Sequence, residues 1–174
     1  MHAIVQATTM IIFISSALGA GKTTTAKELA KRIPSAVLVD PDVFAEMCEY
    51  SMSFEEYSPV REELTESTVR YFNTKGSIVI VPGSITESYL ETLKNRYNDI
   101  WSDVRIVCLN PDKSTVLAGR GDRTLSDWEK ERVEYHYENK ATSLPDAECI
   151  IDTSSISPEE TAEEIVRMLE FAKQ

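Results

Sequence analysis

The run SALGAGKTT, residues 16–24, combines glycines, a lysine and hydroxyl side chains at a spacing that suits phosphate binding. Gly19 and Gly21 let the backbone bend so that several N–H groups point to one place. Lys22 can reach the β- and γ-phosphates of a nucleotide, and the Thr23 hydroxyl can bind Mg²⁺. The run therefore predicts a Walker A loop. The residues expected to surround the phosphates are Ser16, Ala17, Leu18, Gly19, Ala20, Gly21, Lys22, Thr23 and Thr24.

The usual form of this motif begins with glycine, and Ser16 stands in that place here. A serine can adopt the same backbone shape where φ is negative, so the departure is compatible with the loop. The context also fits, because an apolar run precedes the motif and a helical pattern follows it.

Two carboxylates, Asp40 and Asp42, follow the second apolar run in the chain. The ends of parallel strands line the ligand crevice of an open sheet. There Asp40 can hold Mg²⁺, and Asp42 can orient and deprotonate an acceptor hydroxyl. The alternative is that either carboxylate only caps the following helix, with Pro41 at its first position.

Four arginines are candidates for binding negative charge. Arg120 and Arg123 lie in a glycine-bearing stretch, residues 119–126, that is typical of a lid over the γ-phosphate. Arg61 and Arg132 can bind an anionic group of the acceptor, the alternative being that they are exposed helical arginines. His136 lies in the polar segment EYHYE, and we expect it at the surface.

The remaining chain alternates apolar runs with helical patterns, which is typical of a parallel α/β sheet. Five strands are predicted, at residues 10–15, 36–40, 77–81, 104–109 and 148–152. Helices are predicted over 22–33, 84–97 and 127–140, and after Ser157. Ser84 with Glu87, Ser126 with Glu129, and Ser157 with Glu160 have capping-box spacing. Residues 43–73 are helical, rich in charge, and predicted to form an acceptor-binding arm.

Length and charge narrow the function. The chain of 174 residues fits one domain, predicted over 10–174 after a flexible tail at 1–9. The net charge of −11 argues against a nucleic-acid partner. The apolar segment 10–20 is too short to span a membrane, and three unpaired cysteines favour a cytoplasmic location. We expect a monomer or a homodimer.

These motifs together resemble the small P-loop kinases, a group that includes shikimate kinase, nucleoside monophosphate kinases, gluconate kinase and chloramphenicol phosphotransferase. The resemblance rests on SALGAGKTT, the DPD at 40–42, the arginine-bearing loop and the ending IDTSSISPEE. It implies a three-layer α/β P-loop NTPase fold, with a five-stranded parallel sheet in order 2-3-1-4-5 and helices on both faces.

The match is closest to shikimate-kinase-like members, which implies roles for individual residues. It places Asp40 on Mg²⁺, Asp42 and Gly83 beside the acceptor, Arg61 and Arg132 on an acceptor anion, Arg120 or Arg123 in the lid, and Thr153 and Ser154 against adenine.

The function expected from this resemblance is an ATP- and Mg²⁺-dependent kinase that phosphorylates a hydroxyl of a small-molecule acceptor. Two alternatives remain open: a non-catalytic nucleotide-binding regulatory module, and a nucleoside or nucleotide kinase. A nucleotide kinase should have several arginines in the acceptor arm, where only Arg61 and Arg70 occur.

Overall fold

Five parallel strands form one sheet in the spatial order β2-β3-β1-β4-β5, which confirms the predicted fold. The computed structural model describes residues 9–119 and 124–169. The strands are β1 (Met10–Ser15), β2 (Ala36–Leu38), β3 (Ile78–Gly83), β4 (Val104–Leu109) and β5 (Cys149–Ile151). Each coincides with a predicted apolar run, because Val and Ile suit strands that are covered on both faces.

Side chains of β1 alternate between the two faces of the sheet, as a strand requires. On one face, Ile11 and Phe13 pack in a cluster with Val69, Leu90 and residues of neighbouring strands. On the other face, Ile12 and Ile14 pack in a second cluster with helical residues such as Leu29 and Ile165. The sheet is therefore the middle of three layers.

Seven α-helices surround the sheet in the described part of the chain. They are α1 (Lys22–Arg32), α2 (Pro41–Cys48), α3 (Phe54–Thr74), α4 (Glu87–Arg96), α5 (Lys113–Leu117), α6 (Asp127–Glu138) and α7 (Pro158–Met168). A 3₁₀ helix, Asn98–Asp103, precedes β4. None of these helices is both long enough and apolar enough to cross a membrane.

The helix starts test the predicted capping boxes. The pairs Ser126 with Glu129 and Ser157 with Glu160 both form, which confirms them. The prediction for Ser84 is wrong, since α4 begins at Glu87 and the side chain of Thr86 caps it. Ser84 lies in the turn after β3. The next residue, Ile85, bonds through its backbone N–H to the side chain of Ser15 on β1.

The predicted arm, residues 43–73, contains most of α2 and α3, and an ionic cluster fixes α3 to its neighbours. Arg70 on α3 pairs with Glu66 and with Asp99 in the 3₁₀ helix, and it also donates to the carbonyl of Arg96. Arg96 on α4 in turn pairs with Glu62 and Glu66. These ion pairs and hydrogen bonds therefore hold α3 of the arm against α4 and the 3₁₀ helix.

Candidate active site

The loop between β1 and α1 has the backbone shape that the Walker A motif predicts. Gly19 and Gly21 lie in the left-handed region, with φ of 73° and 95°. The first turn of α1 contains no acidic residue, so the positive end of the helix dipole is not neutralised by a side chain there. Lys22 Nζ donates to the carbonyl of Ala17 at 2.7 Å, which holds the ammonium group over the loop.

Ser16 fits the loop without strain and also anchors it. Among the described residues, Ser35 and Lys140 are the non-glycine residues with positive φ, so Ser16 avoids the left-handed region. Its side chain is fully buried, and Oγ donates to the carbonyl of Leu109 at the end of β4, at 2.7 Å. The serine thus ties the start of the loop to the neighbouring strand.

Ser15, the last residue of β1, connects three segments through one buried hydroxyl. It donates to the carbonyl of Ala141 at 2.7 Å and accepts from the backbone N–H of Ile85 at 3.1 Å. Ala141 follows α6 and Ile85 follows β3, so the base of the phosphate loop is fixed against both.

Asp40 lies at the carboxyl end of β2 and caps α2. Its Oδ1 accepts from the backbone N–H of Asp42 at 3.1 Å, and Pro41 occupies the first helical position. Asp40 therefore does cap α2. A carboxylate that caps through one oxygen retains the second oxygen for another ligand. Asp42 is exposed on the first turn of α2.

Gly83 ends β3 in register with Ser15, directly beside the residue that leads into the phosphate loop. A Cβ atom placed on Gly83 would meet no atom within 4 Å, so the backbone borders open space there. This arrangement suits the predicted position beside an acceptor.

The arginines that the structure describes separate into two groups according to their partners. Arg32, Arg70, Arg96, Arg105 and Arg167 each form an ion pair with a carboxylate. Arg61 and Arg132, which are both half-buried, form no ion pair within the described residues. Arg61 lies on α3 close enough to Tyr89 to act on its pKa, although burial is the main reason that this pKa is raised. Arg132 stacks over the ring of Tyr135 at 4.7 Å.

His136 contacts the phosphate loop directly, so the prediction that it lies at the surface is wrong. It is 5 % exposed, and its Nδ1 accepts from the backbone N–H of Leu18 at 3.1 Å. Burial is the main reason that the pKa of His136 is lowered to about 4, and the positive charges of Lys22 and Arg132 contribute to the same shift. The spacing i, i+3 from the buried Val133 was the available signal.

The loop after β5 is fixed to the start of α5. Ser154 Oγ accepts from the backbone N–H of Asp112 at 2.8 Å, and the backbone N–H of Ser154 donates to Asp152 Oδ1 at 2.9 Å. Thr153 and Ser154 follow β5, so they lie at the carboxyl edge of the parallel sheet, as the phosphate loop after β1 does. Their predicted contact with adenine stays a prediction.

The predicted lid is described only in part. Arg120 and Arg123 lie outside the described residues. Leu125, at the end of the predicted lid, is buried in a cluster with Ala17, Val116 and Val133, beneath the phosphate loop.

The two predicted magnesium ligands both offer oxygen atoms, the donor type that suits this ion. They are the hydroxyl of Thr23 on the first turn of α1 and the carboxylate of Asp40 at the end of β2. The described residues contain no cluster of three His, Cys, Asp or Glu side chains able to hold a metal. Mg²⁺ keeps several waters and uses few protein ligands, so it would take its other oxygens from nucleotide phosphates and water.

Comparisons with known proteins give the fold. No family model matches the sequence, and neither does any curated protein. The structure resembles a tunicamycin resistance protein of Deinococcus radiodurans, at 22 % identity and a TM-score of 0.69 over 92 % of this chain and 95 % of that one.

Two further solved structures have the same architecture. One is shikimate kinase from Acinetobacter baumannii in complex with shikimate, at 18 % identity and a TM-score of 0.66 over 95 % of this chain and 96 % of that one. The other is an APS kinase of Mycobacterium tuberculosis in complex with AMPPNP and APS, at 13 % identity and 0.61 over 92 % and 97 %. The chain therefore has the fold of P-loop small-molecule kinases.

Proposed function

We propose that this chain, with its P-loop kinase fold, is an ATP- and Mg²⁺-dependent phosphotransferase that phosphorylates a hydroxyl of a small molecule. The observation that carries the proposal is the loop from β1 to α1. Its two left-handed glycines precede a helix whose first turn has no acidic side chain, and Lys22 lies over the loop. A loop of this shape binds nucleotide phosphates through backbone N–H groups and the helix dipole.

Each proposed site residue has its own role in the reaction. Lys22 would hold the β- and γ-phosphates, and Mg²⁺, bound through Thr23 and Asp40, would neutralise charge on the phosphates. Asp42 would orient the acceptor hydroxyl and take its proton as the oxygen bonds to the γ-phosphorus and ADP leaves. Arg120 and Arg123 remain proposed lid residues.

Two arginines that form no ion pair with any carboxylate of the described residues support an acceptor that carries negative charge. In a protein of net charge −11, a half-buried guanidinium with no carboxylate partner is unusual. Arg61 and Arg132 are such residues, and both were predicted to bind an acceptor anion. We therefore favour anionic acceptors such as sugar acids.

The alternatives lose support from the same contacts. A serine in place of the first glycine would favour a non-catalytic nucleotide-binding module if it distorted the loop, but Ser16 fits the loop and anchors it. A nucleotide kinase would need several arginines in the arm. Arg70 is already engaged by two carboxylates and a carbonyl, which leaves Arg61 alone.

The test follows ADP release from Mg²⁺-ATP in the presence of candidate acceptors. The panel contains gluconate and other sugar acids, shikimate, APS, nucleosides, nucleoside monophosphates and hydroxylated antibiotics including tunicamycin. Lys22→Ala is the control for contaminating kinases, because it removes the phosphate-binding ammonium group while the backbone of the loop remains.

Acceptor-dependent ADP release that disappears in Lys22→Ala would support the proposal and identify the acceptor class. Asp42→Asn should then lower kcat by at least tenfold while the KM for ATP stays within about twofold. ATP binding without any acceptor-dependent release would contradict the kinase and favour the nucleotide-binding module.

A further inference from the structure

The hydrogen bond between the phosphate loop and His136 fixes the position of the ring proton. The backbone N–H of Leu18 points at Nδ1 from 3.1 Å. A ring nitrogen accepts a hydrogen bond only when it carries no proton, so the proton of the neutral ring is on Nε2. The lowered pKa of His136 agrees with a neutral ring.

This tautomer makes the neighbouring contact a pair of donors. Arg132 Nη2 lies 3.5 Å from His136 Nε2. Both atoms carry hydrogen, and a guanidinium has no acceptor, so they cannot bond to each other. Two donors at this separation are satisfied when one anionic group accepts from both. The described residues provide no carboxylate within ion-pair distance of Arg132.

The donor pair lies at the phosphate loop itself. His136 touches Leu18, which is four residues before Lys22, and the positive charge of Lys22 acts on the ring. His136 and Arg132 are one turn apart on α6, so the helix presents both donors on the same side. Three basic or donor groups therefore converge at the end of the loop.

We infer that His136 Nε2–H and the Arg132 guanidinium jointly bind an oxyanion beside the phosphate loop, with His136 connecting that anion to the loop. This inference rests on the proposed function, because the oxyanion is either the γ-phosphoryl group of the nucleotide or a charged group of the acceptor. When the anion accepts from Nε2, it makes Nδ1 a better acceptor and so strengthens the bond from Leu18 N–H. His136 thus couples binding of the oxyanion to the hydrogen bond that it makes with the phosphate loop.

The sequence permits a direct test, since His2 and His136 are the two histidines of the chain. His2→Ala leaves one imidazole, and nitrogen-15 labelling of histidine then allows its two ring nitrogens to be observed by NMR. Spectra are recorded at pH 7 with saturating Mg²⁺-ADP, with saturating Mg²⁺-AMPPNP, and with sulfate added to the AMPPNP complex.

We expect the Nε2–H tautomer and a shift of the Nε2 resonance on one of the two changes. A shift on replacing ADP with AMPPNP assigns the anion to the γ-phosphoryl group, and a shift only on adding sulfate assigns it to the acceptor. Arg132→Gln should reduce the shift at least threefold. Lys130→Gln, which removes one charge from the same helix at an exposed ion pair with Asp127, should leave it unchanged.

A ring protonated on Nδ1, an Nε2 resonance that ignores both changes, or an equal response in Arg132→Gln would overturn the inference. The readout needs no turnover, so the two proposals can fail separately. An anion response without acceptor-dependent ADP release would keep the inference and remove the kinase. ADP release with the opposite tautomer would keep the kinase and remove the inference.

Discussion

The buried imidazole of His136 should make this protein less stable as the pH falls from 7 to 5. Carboxylates change the free energy of unfolding little in that range. The pKa of His136 is lowered from 6.5 to about 4 in the folded state. Between these values the unfolded chain binds the proton and the folded chain does not, so stability falls as pH falls. The stability that the neutral His136 ring contributes is fully present above pH 6.5 and is lost below pH 4. At ~1.4 kcal/mol per tenfold change in proton affinity it totals about 3 kcal/mol, of which about 2 kcal/mol is lost between pH 7 and pH 5.

The charged groups that face the ring act in one direction. Lys22 on α1 and Arg132 on α6 are both positive, and each opposes protonation of His136. The carboxylates with lowered pKa values, such as Glu56 and Glu160, keep their contribution above pH 4.5 and lose it only below that value. The range from pH 7 to pH 5 therefore isolates the histidine.

Urea unfolding at pH 7, 6 and 5 measures the effect. His136→Gln is the informative variant, because an amide oxygen can accept from Leu18 N–H and does not titrate. We expect its free energy of unfolding to change by less than about 0.5 kcal/mol over this range, against about 2 kcal/mol for the wild type. His2→Gln is the matched control and should retain the wild-type slope. Equal slopes in the wild type and His136→Gln would refute the reasoning.

Three substitutions in the site should separate stability from binding. Ser16→Ala removes a buried hydrogen bond to Leu109 and should cost about 1 kcal/mol in urea unfolding; an unchanged midpoint would contradict this. Gly19→Ala forces a side chain into a φ of 73° and should cost about 1–2 kcal/mol and weaken AMPPNP binding in calorimetry, whereas normal affinity would show that the loop shape is not required. Gly83→Ala adds a methyl group in open space at an ordinary φ, so stability should change by less than about 0.5 kcal/mol. The KM for the acceptor should nevertheless rise with the KM for ATP unchanged, and equal kinetics would place the acceptor elsewhere.

The sheet was predictable because its strands are simple in sequence. A buried parallel strand needs only a short run of β-branched and aliphatic residues, and MIIFIS and VRIVCL predict the limits of β1 and β4 correctly. The phosphate loop was also predictable, since glycines, a lysine and a threonine at fixed spacing impose both its shape and its chemistry. Local sequence pattern is enough to predict a structural feature that one continuous segment forms.

The contacts between distant segments were not predictable from local pattern. His136 meets Leu18 across 118 positions of the chain, and nothing in EYHYE indicates that encounter beyond the spacing from Val133. Ser84 had the right spacing for a capping box with Glu87, but the turn after β3 is held by Ser15, which leaves Thr86 as the cap. In both cases tertiary contacts decided what local sequence left open.

The strand order also governs when the nucleotide site can come into being during synthesis. β1 is the first strand to emerge, yet both of its partners, β3 and β4, come much later in the chain. The phosphate loop is then anchored by Ser16 to Leu109, the last residue of β4. A nascent chain shorter than this carries the whole Walker A sequence without a sheet to hold it, so long-range pairing must precede nucleotide binding. Chains truncated before β4 should accordingly fail to retain AMPPNP. The shortest chain that retains AMPPNP would show how much of the sequence is needed before β1, β3 and β4 pair.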